Sequence, residues 1–276
     1  MGPPFELVGI SEEVSSRVEE PRFSKLTEAE GSIPQVSPRL ALYPSLPDVR
    51  VGHKINTPII MSAVNRLLSQ FRKPTGWSGR LNVRNMNSRH SKLTDWGLTH
   101  ISVGSHDTVV DVGCGGGRTV RKLAAIATHG NVYGVDHSEA SVAVATSTNR
   151  QLIANGRVEI RLGSVSNLPF PAGMFDLATA VETHYYWPDL PADMRELSRV
   201  LKPGGTLIII AEAYKGGKHD KQIQELVEAM KSINYTYAHL SPDEHRQLFS
   251  NAGYTDVQLF EDRDKGWICC LGKTPS

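Results

Sequence analysis

The sequence predicts an α/β fold in which a mostly parallel, doubly wound sheet carries helices on both faces. The stretch TVVDVGCGGGRTV at residues 108–120 is the first observation, because a β-branched run leads into a glycine turn and then into helical spacing. Short apolar strands and amphipathic helices then alternate to the end of the chain. Such alternation is typical of βαβ units and predicts parallel strand pairing.

The glycine turn at residues 113–117 is a candidate ligand cradle. Glycine adopts positive φ angles and lets the backbone approach a ligand closely, because it has no Cβ. The helix that follows offers free amide donors and a positive dipole end, which favour a carboxylate or a phosphate. The nicotinamide pattern GxGxxG needs a glycine at position 118, where this chain has Arg118. The spacing therefore argues against a nicotinamide-dependent oxidoreductase.

The pattern present here is DxGxGxG, formed by Asp111 and the glycines at positions 113, 115 and 117. It resembles motif I of the class I S-adenosylmethionine-dependent methyltransferases, of the small-molecule, methyltransferase domain 11-like type. The resemblance implies a seven-stranded, Rossmann-like sheet with an antiparallel last strand and an N-terminal helical cap. It also implies S-adenosylmethionine as the cofactor, with contacts from Asp111, Gly113, Cys114, Gly115, Gly117, Asp136, His137, Ser164, Val165 and Glu182.

Composition and charge restrict the class of protein. The chain has 276 residues, of which 39% are hydrophobic, and a formal net charge of +1, which suits one large core with appendages. It shows neither the run of roughly 20 apolar residues that spans a bilayer nor a secretory signal pattern. The 3 cysteines match no disulfide framework and no zinc pattern. We therefore expect a cytoplasmic protein with reduced thiols and no metal.

Residues 1–57 are predicted to be disordered or to form an extended arm. They are rich in proline and show no sustained helical or strand period, so they cannot bury enough apolar surface to offset the entropy lost on ordering. The first helical spacing begins at Met61. We expect a helical cap over residues 58–105 and the main domain over residues 106–276.

The predicted cap carries an excess of positive charge, with 7 lysines and arginines against one acid between residues 61 and 100. A solvated helix face accounts for this excess, and transient contact with a membrane surface is the alternative that remains open. Nucleic acid is not the expected partner, because the tryptophans are not interleaved as a stacking platform and an NPPY-like sequence is absent. The resemblance places residues 86–101 over the cofactor and the acceptor, with Trp96 as a substrate contact.

Asp136 ends the second predicted strand, at residues 132–136. In dinucleotide-type folds an acid at this point accepts hydrogen bonds from ribose hydroxyls. The resemblance gives Asp136 that role and puts His137 against the adenine. A helix predicted to run from Ser138 to Ala154 begins directly afterwards, so a helix N-cap is a second, compatible interpretation of Asp136.

The third strand, at residues 158–162, leads into a loop that resembles the family's adenine-binding loop. The family usually has an acid at the position of Ser164. The resemblance therefore implies that the adenine amino group is held by the Ser164 hydroxyl or by the backbone next to Val165.

A polar and aromatic segment, ETHYYW at residues 182–187, follows the fourth strand, residues 175–181. Ligands of open α/β sheets bind outside the carboxyl ends of the strands, so we expect the acceptor between this segment and the cap. His184 is the candidate general base, because its unperturbed pKa lies near 6.5. Tyr185 and Tyr186 are candidates for orienting the acceptor. A packing role is the alternative for each of these side chains.

The last part of the chain continues the alternation. LKPGG at residues 201–205 ends a helix and precedes a strand at residues 206–211. Ser241 and Glu244 form a predicted capping box. Strands at residues 256–260 and 267–271 are predicted to form an antiparallel hairpin, as the resemblance implies.

The sequence thus predicts a methyltransferase for a small-molecule acceptor, with the methylated atom and the oligomeric state undetermined. Methyl transfer from a sulfonium is an in-line displacement, so the main task of such a protein is to hold acceptor and methyl group about 3 Å apart in a dry site. The alternative from another class is a protein that binds the cofactor as a regulator or assembly subunit without catalysing transfer.

Overall fold

The computed structural model describes residues 73–76, 79–80, 83, 90–231 and 237–276. The predicted arm at residues 1–57 and the helix beginning at Met61 lie outside the described residues. The domain boundaries therefore stay predictions.

A seven-stranded sheet forms the centre of the described structure. Its strands are β1 (Val109–Val112), β2 (Val132–Asp136), β3 (Val158–Leu162), β4 (Phe175–Val181), β5 (Leu201–Ala211), β6 (Thr255–Asp262) and β7 (Trp267–Lys273). Their order across the sheet is β3-β2-β1-β4-β5-β7-β6. The first five strands pair in parallel, whereas β7 runs antiparallel to both β5 and β6. The predicted parallel sheet with an antiparallel last strand is confirmed.

Helices pack on both faces of this sheet. They are α1 (Ser91–Leu98), α2 (Arg118–Ile126), α3 (Glu139–Thr148), α4 (Arg150–Ala154), α5 (Leu190–Val200), α6 (Asp220–Lys231) and α7 (Pro242–Asn251), with a 3₁₀ turn at His184–Tyr186. Consecutive residues of β1 point to opposite faces of the sheet, so Val109 packs in one apolar cluster and Val110 in another. All four residues of β1 are buried, as expected of a parallel strand between two helical layers. None of the helices described is long and apolar enough to cross a membrane.

The helix predicted from Ser138 to Ala154 is divided at Asn149, and this corrects the prediction. The side-chain amide of Asn149 donates hydrogen bonds to the carbonyl oxygens of Gly117 and Ala145, both at 2.9 Å. The break is therefore tied to the glycine turn. The apolar spacing of the segment does not reveal it, because the Gly117 partner lies far away in the sequence.

The capping box predicted at Ser241 is confirmed. The Ser241 hydroxyl accepts from the Glu244 N–H at 3.1 Å, and the Glu244 carboxylate accepts from the Ser241 N–H at 2.7 Å. We expect Ser241→Ala to lower the free energy of unfolding by about 1 kcal/mol, measured by urea denaturation, because one amide of α7 loses its acceptor. Ser250→Ala, at an exposed position of the same helix, is the control and should change it by less than about 0.5 kcal/mol. Equal losses in both variants would contradict the capping role.

Candidate active site

The glycine turn joins β1 to α2 at the carboxyl edge of the sheet. Gly113, Gly115 and Gly117 have φ angles of 74°, 51° and 76°, a region that L side chains rarely adopt. A Cβ added to Gly113 would lie 2.2 Å from the hydroxyl oxygen of Thr183. The segment after β4 therefore approaches the turn so closely that only glycine fits at position 113.

Asp136 connects this turn to the beginning of α3. Its Oδ2 accepts from the Gly115 N–H and its Oδ1 from the Ser138 N–H, both at 2.9 Å. Burial raises the pKa of Asp136, although the two amide hydrogen bonds oppose the shift. Ser138, rather than Asp136, is the N-cap of α3, because its side chain accepts from the Ser141 N–H. Asp136 is thus the acidic residue at the end of β2, and its hydrogen bond with Gly115 also holds the glycine turn in place.

Two cavities share Asp136 and His137 as lining residues. The first cavity also contains Asp111, Cys114 and Glu182, and the second contains Ser164, Val165, Trp187 and Pro188. Every residue that the resemblance implied for the cofactor lines at least one cavity, except Gly117. Gly117 is instead the N-cap of α2, so its contribution is to the shape of the turn.

Asp111 and Cys114 are buried beneath the first cavity. Burial raises the pKa of Asp111 to about 7, although the Thr179 hydroxyl donates to its Oδ1 at 2.6 Å. Burial, together with the charges of Asp136 and Asp111, raises the pKa of the Cys114 thiol well above its usual range. The thiol is therefore protonated at neutral pH and is a poor nucleophile.

One further cluster, formed by His90, Glu182 and Glu212, lies at the same edge of the sheet. The Nε2 atom of His90 lies 3.9 Å from Oε2 of Glu182 and 3.6 Å from Oε1 of Glu212. The Glu212 N–H donates to Oε1 of Glu182 at 2.7 Å. One ligand atom from each side chain lies within 4.8 Å of the others, so the spacing would also accommodate a divalent cation. His90 and Glu182 line the first cavity.

The backbone and the charge of Glu182 are both unusual. Its φ angle is 57°, a left-handed conformation that is uncommon outside glycine and persists only where the surroundings hold it. Burial and the charge of Glu212 raise the pKa of Glu182 to about 7, while His90 and a hydrogen bond with the Tyr185 side chain oppose the shift. The carboxyl group is therefore poised to exchange a proton near neutral pH.

The structure places His184, the predicted general base, away from both cavities. Its ring is fully buried, and among the described residues it lines neither cavity. Its Nε2 atom lies 3.2 Å from Nε2 of His245. Burial and His245 lower the pKa of His184 well below its usual value. A general base must reach the proton that it removes, and His184 does not reach the cavity in this structure.

Tyr185 and Trp96 also lie outside both described cavities. Tyr185 is buried and stacks on Tyr237 with ring centroids 5.0 Å apart, whereas Trp96 packs against Trp267. Tyr186 does line both cavities. The difference between neighbouring residues follows from the 3₁₀ turn, because three residues per turn point consecutive side chains in three directions.

His90 and Glu212 are cluster residues that no sequence motif predicts. His90 precedes α1 and Glu212 follows β5, and neither belongs to a recognisable motif. The only available signal is that an acid directly after a parallel strand tends to lie at the ligand-binding edge of the sheet. The position directly after a parallel strand therefore indicates Glu212, whereas nothing in the sequence indicates His90.

Comparisons with known proteins agree with this fold and this turn. Residues 110–209 match the family model described as a methyltransferase domain. The 2-phytyl-1,4-naphtoquinone methyltransferase of Synechococcus elongatus is 38% identical over 105 residues, which are 38% of this chain and 45% of that protein. The demethylmenaquinone methyltransferase of Symbiobacterium thermophilum is 30% identical over 186 residues, which cover 58% of this chain and 73% of that protein.

A solved structure extends the likeness to the fold. One chain of the complex between the Haloferax volcanii methyltransferase activator Trm112 and a methyltransferase superposes with a TM-score of 0.60 at 25% identity, covering 72% of this chain and 95% of that chain. The sheet order, the DxGxGxG turn and the extent of the match to the demethylmenaquinone methyltransferase lead to one conclusion. The chain belongs to the class I S-adenosylmethionine-dependent methyltransferase family.

Proposed function

We propose that the chain transfers a methyl group from S-adenosylmethionine to a small-molecule acceptor. The observation that carries this proposal is the pairing of the glycine turn with Asp136, whose carboxylate accepts from the Gly115 N–H and lines both cavities. A glycine turn that lines a cavity beside a strand-end acid fits a nucleoside with its attached chain.

The residues present fit the cofactor in three parts. Asp136 would accept from a ribose hydroxyl, because its two oxygens offer about four acceptor sites, more than the two amide hydrogen bonds and the Ser141 side-chain hydrogen bond use. Ser164, Val165 and the other residues of the second cavity would surround the adenine. The first cavity, which extends to Thr94 and Glu182, would hold the amino acid portion and leave room for the acceptor. When bound, S-adenosylmethionine supplies an electrophilic methyl group on a sulfonium.

A small acceptor is supported by the relatives and by the shape of the site. Both quoted relatives carry quinone-type molecules in their names, although the match covers only 45% of the first of them. The first cavity combines apolar residues such as Val83 and Val181 with a larger number of polar and charged side chains, and convergent polar groups of this kind fix the orientation of a small molecule.

Binding and turnover together test this function. Calorimetric titration should detect S-adenosylmethionine and S-adenosylhomocysteine binding, and transfer of a labelled methyl group to a panel of small acceptors should release S-adenosylhomocysteine. Binding without transfer to any acceptor would favour a regulatory or assembly protein. Failure to bind either nucleoside would contradict the proposal.

A variant of His184 tests its catalytic role separately. His184→Gln keeps a hydrogen-bonding group near His245 but removes the titratable ring. Because the ring is buried outside the cavities, we expect turnover of the variant on the best acceptor of the panel to stay within about threefold of wild type at each pH between about 6 and 9. The free energy of unfolding should fall by about 1–2 kcal/mol, measured by urea denaturation, because a buried polar pair is altered. A loss of about 100-fold in turnover at unchanged cofactor affinity would restore His184 as the base.

A further inference from the structure

Resting on the function proposed above, we propose that the His90–Glu182–Glu212 cluster recognises an amine acceptor and that Glu182 removes the proton which the amine must lose. Glu182 would be a catalytic residue, and His90 and Glu212 would be positioning residues. Three features of the molecule support these roles: the place of the cluster, its charge and the hydrogen-bond acceptor capacity of Glu182.

Two members of the cluster, His90 and Glu182, line the first cavity at the carboxyl edge of the sheet. Glu182 directly follows β4 and lines the cavity together with its neighbour Thr183 and with Gly113 of the glycine turn. Parallel strands direct the residues after their carboxyl ends toward the bound ligand. His90 enters the same cavity from the segment before α1.

The cluster contains more acidic than basic side chains. Two carboxyl groups lie within reach of one imidazole, so the cluster stays anionic when it holds a single proton in addition to a neutral imidazole. The charged groups that act on Glu182 are Glu212 and His90, and the Tyr185 side chain hydrogen-bonds to it. Arg118 also lines the cavity, but it begins α2 beside the glycine turn. An anionic site attracts an ammonium group and repels a carboxylate or a phenolate.

The two carboxylate oxygens of Glu182 have different contacts. Oε1 accepts from the Glu212 N–H at 2.7 Å, which fixes the carboxyl group. Oε2 lies 3.9 Å from the His90 ring, which is beyond hydrogen-bonding distance. A carboxylate oxygen has two lone pairs, so Oε2 can accept from an ammonium group placed in the cavity in addition to any hydrogen bond from the Tyr185 side chain.

Atoms and electrons balance when the reactants are the amine, S-adenosylmethionine and the Glu182 carboxylate. The bound R–NH₃⁺ gives one proton to the Glu182 carboxylate and becomes R–NH₂. The nitrogen lone pair then forms the N–C bond to the methyl group while the C–S bond breaks, and the electron pair of that bond goes to sulfur. The products are the methylated ammonium and S-adenosylhomocysteine, and Glu182 afterwards returns its proton to water.

A matched set of three probes tests the acceptor class. Phenethylamine, 2-phenylethanol and phenylacetate have similar shapes and are a cation, a neutral molecule and an anion at neutral pH. With the protein saturated with S-adenosylhomocysteine, calorimetry should show the amine binding at least about tenfold more tightly than the other two. Labelled S-adenosylmethionine should methylate the amine alone. Equal or tighter binding of the alcohol or the acid would overturn the inference.

Two glutamate variants test the role of Glu182. Glu182→Gln should remove the preference for the amine and lower methyl transfer to phenethylamine at least about 100-fold, while S-adenosylhomocysteine affinity stays within about threefold. Glu225→Gln, at an exposed position of α6, is the control and should change neither. If Glu182→Gln weakens S-adenosylhomocysteine binding as much as amine binding, Glu182 is a cofactor contact and the inference fails.

The pH profile separates positioning residues from merely structural ones. Because Glu182 acts unprotonated and its pKa is about 7, kcat/KM for the amine should rise through about pH 7 and then level off. Glu212→Gln removes a repelling charge and should move this rise to lower pH, whereas His90→Gln removes a stabilising group and should move it to higher pH. Profiles that do not move in either variant would overturn the positioning roles.

A metal ion is the competing occupant of the cluster. Calorimetric titration with Mn²⁺ alone, repeated on Glu182→Gln, measures this directly. We expect negligible Mn²⁺ binding and no effect of EDTA on transfer. Mn²⁺ binding that the variant abolishes, with transfer that depends on the ion, would overturn the inference while leaving the proposed methyl transfer intact. Absence of S-adenosylmethionine binding would instead contradict the proposed function itself.

Discussion

Asp136→Ala is expected to weaken S-adenosylhomocysteine binding by about ten- to a hundredfold. The reason is the loss of a hydrogen bond between a ribose hydroxyl and a charged acceptor, which contributes on the order of 1.5–3 kcal/mol. The variant also removes the acceptor of the Gly115 and Ser138 amides. It should therefore loosen the glycine turn as well, and calorimetric titration of the folded variant measures the sum of both effects.

Asp136→Asn separates these two contributions. The asparagine keeps one side-chain oxygen for the amides but loses the charge and an acceptor. We expect it to bind S-adenosylhomocysteine with an affinity between those of wild type and Asp136→Ala. If both variants bind as tightly as wild type while their melting curves are unchanged, the ribose site lies elsewhere.

Gly117→Ala is expected to lower the free energy of unfolding by about 3 kcal/mol, measured by urea denaturation. The φ angle of Gly117 is 76°, and an L residue held in this region costs roughly 1–2 kcal/mol. The added Cβ would also lie 2.5 Å from the Asn149 amide nitrogen and 2.9 Å from the Ala145 Cα. Forcing such a contact into a packed region costs about 1–3 kcal/mol more.

Gly156→Ala is the matched control for this variant. Gly156 has a φ angle of 71°, and a Cβ there would meet nothing within 4 Å. Its substitution therefore measures the backbone cost without the clash, and we expect a loss of about 1 kcal/mol. Equal losses of unfolding free energy at both positions would show that the close approach of Ala145 and Asn149 to Gly117 adds no steric cost.

Much of the fold follows from local patterns in the sequence. The β-branched run at Val109–Val112 predicts a strand buried on both faces, and β1 is such a strand. The Ser241 capping box predicts the beginning of α7, because its hydrogen bonds form between residues three apart. Local patterns succeed where the interacting groups are neighbours in the chain.

The sequence by itself also determined the glycine turn and the acid at the end of β2, since both follow from strand ends and residue spacing. Which side chains of the segment after β4 enter the site was decided by the 3₁₀ turn, which buries His184 and leaves Tyr186 at the cavities. The His90–Glu182–Glu212 cluster was decided only by the tertiary structure. Its members come from the segment before α1 and from the ends of β4 and β5, and only pairing of these two strands and packing of α1 against β5 bring their charges together.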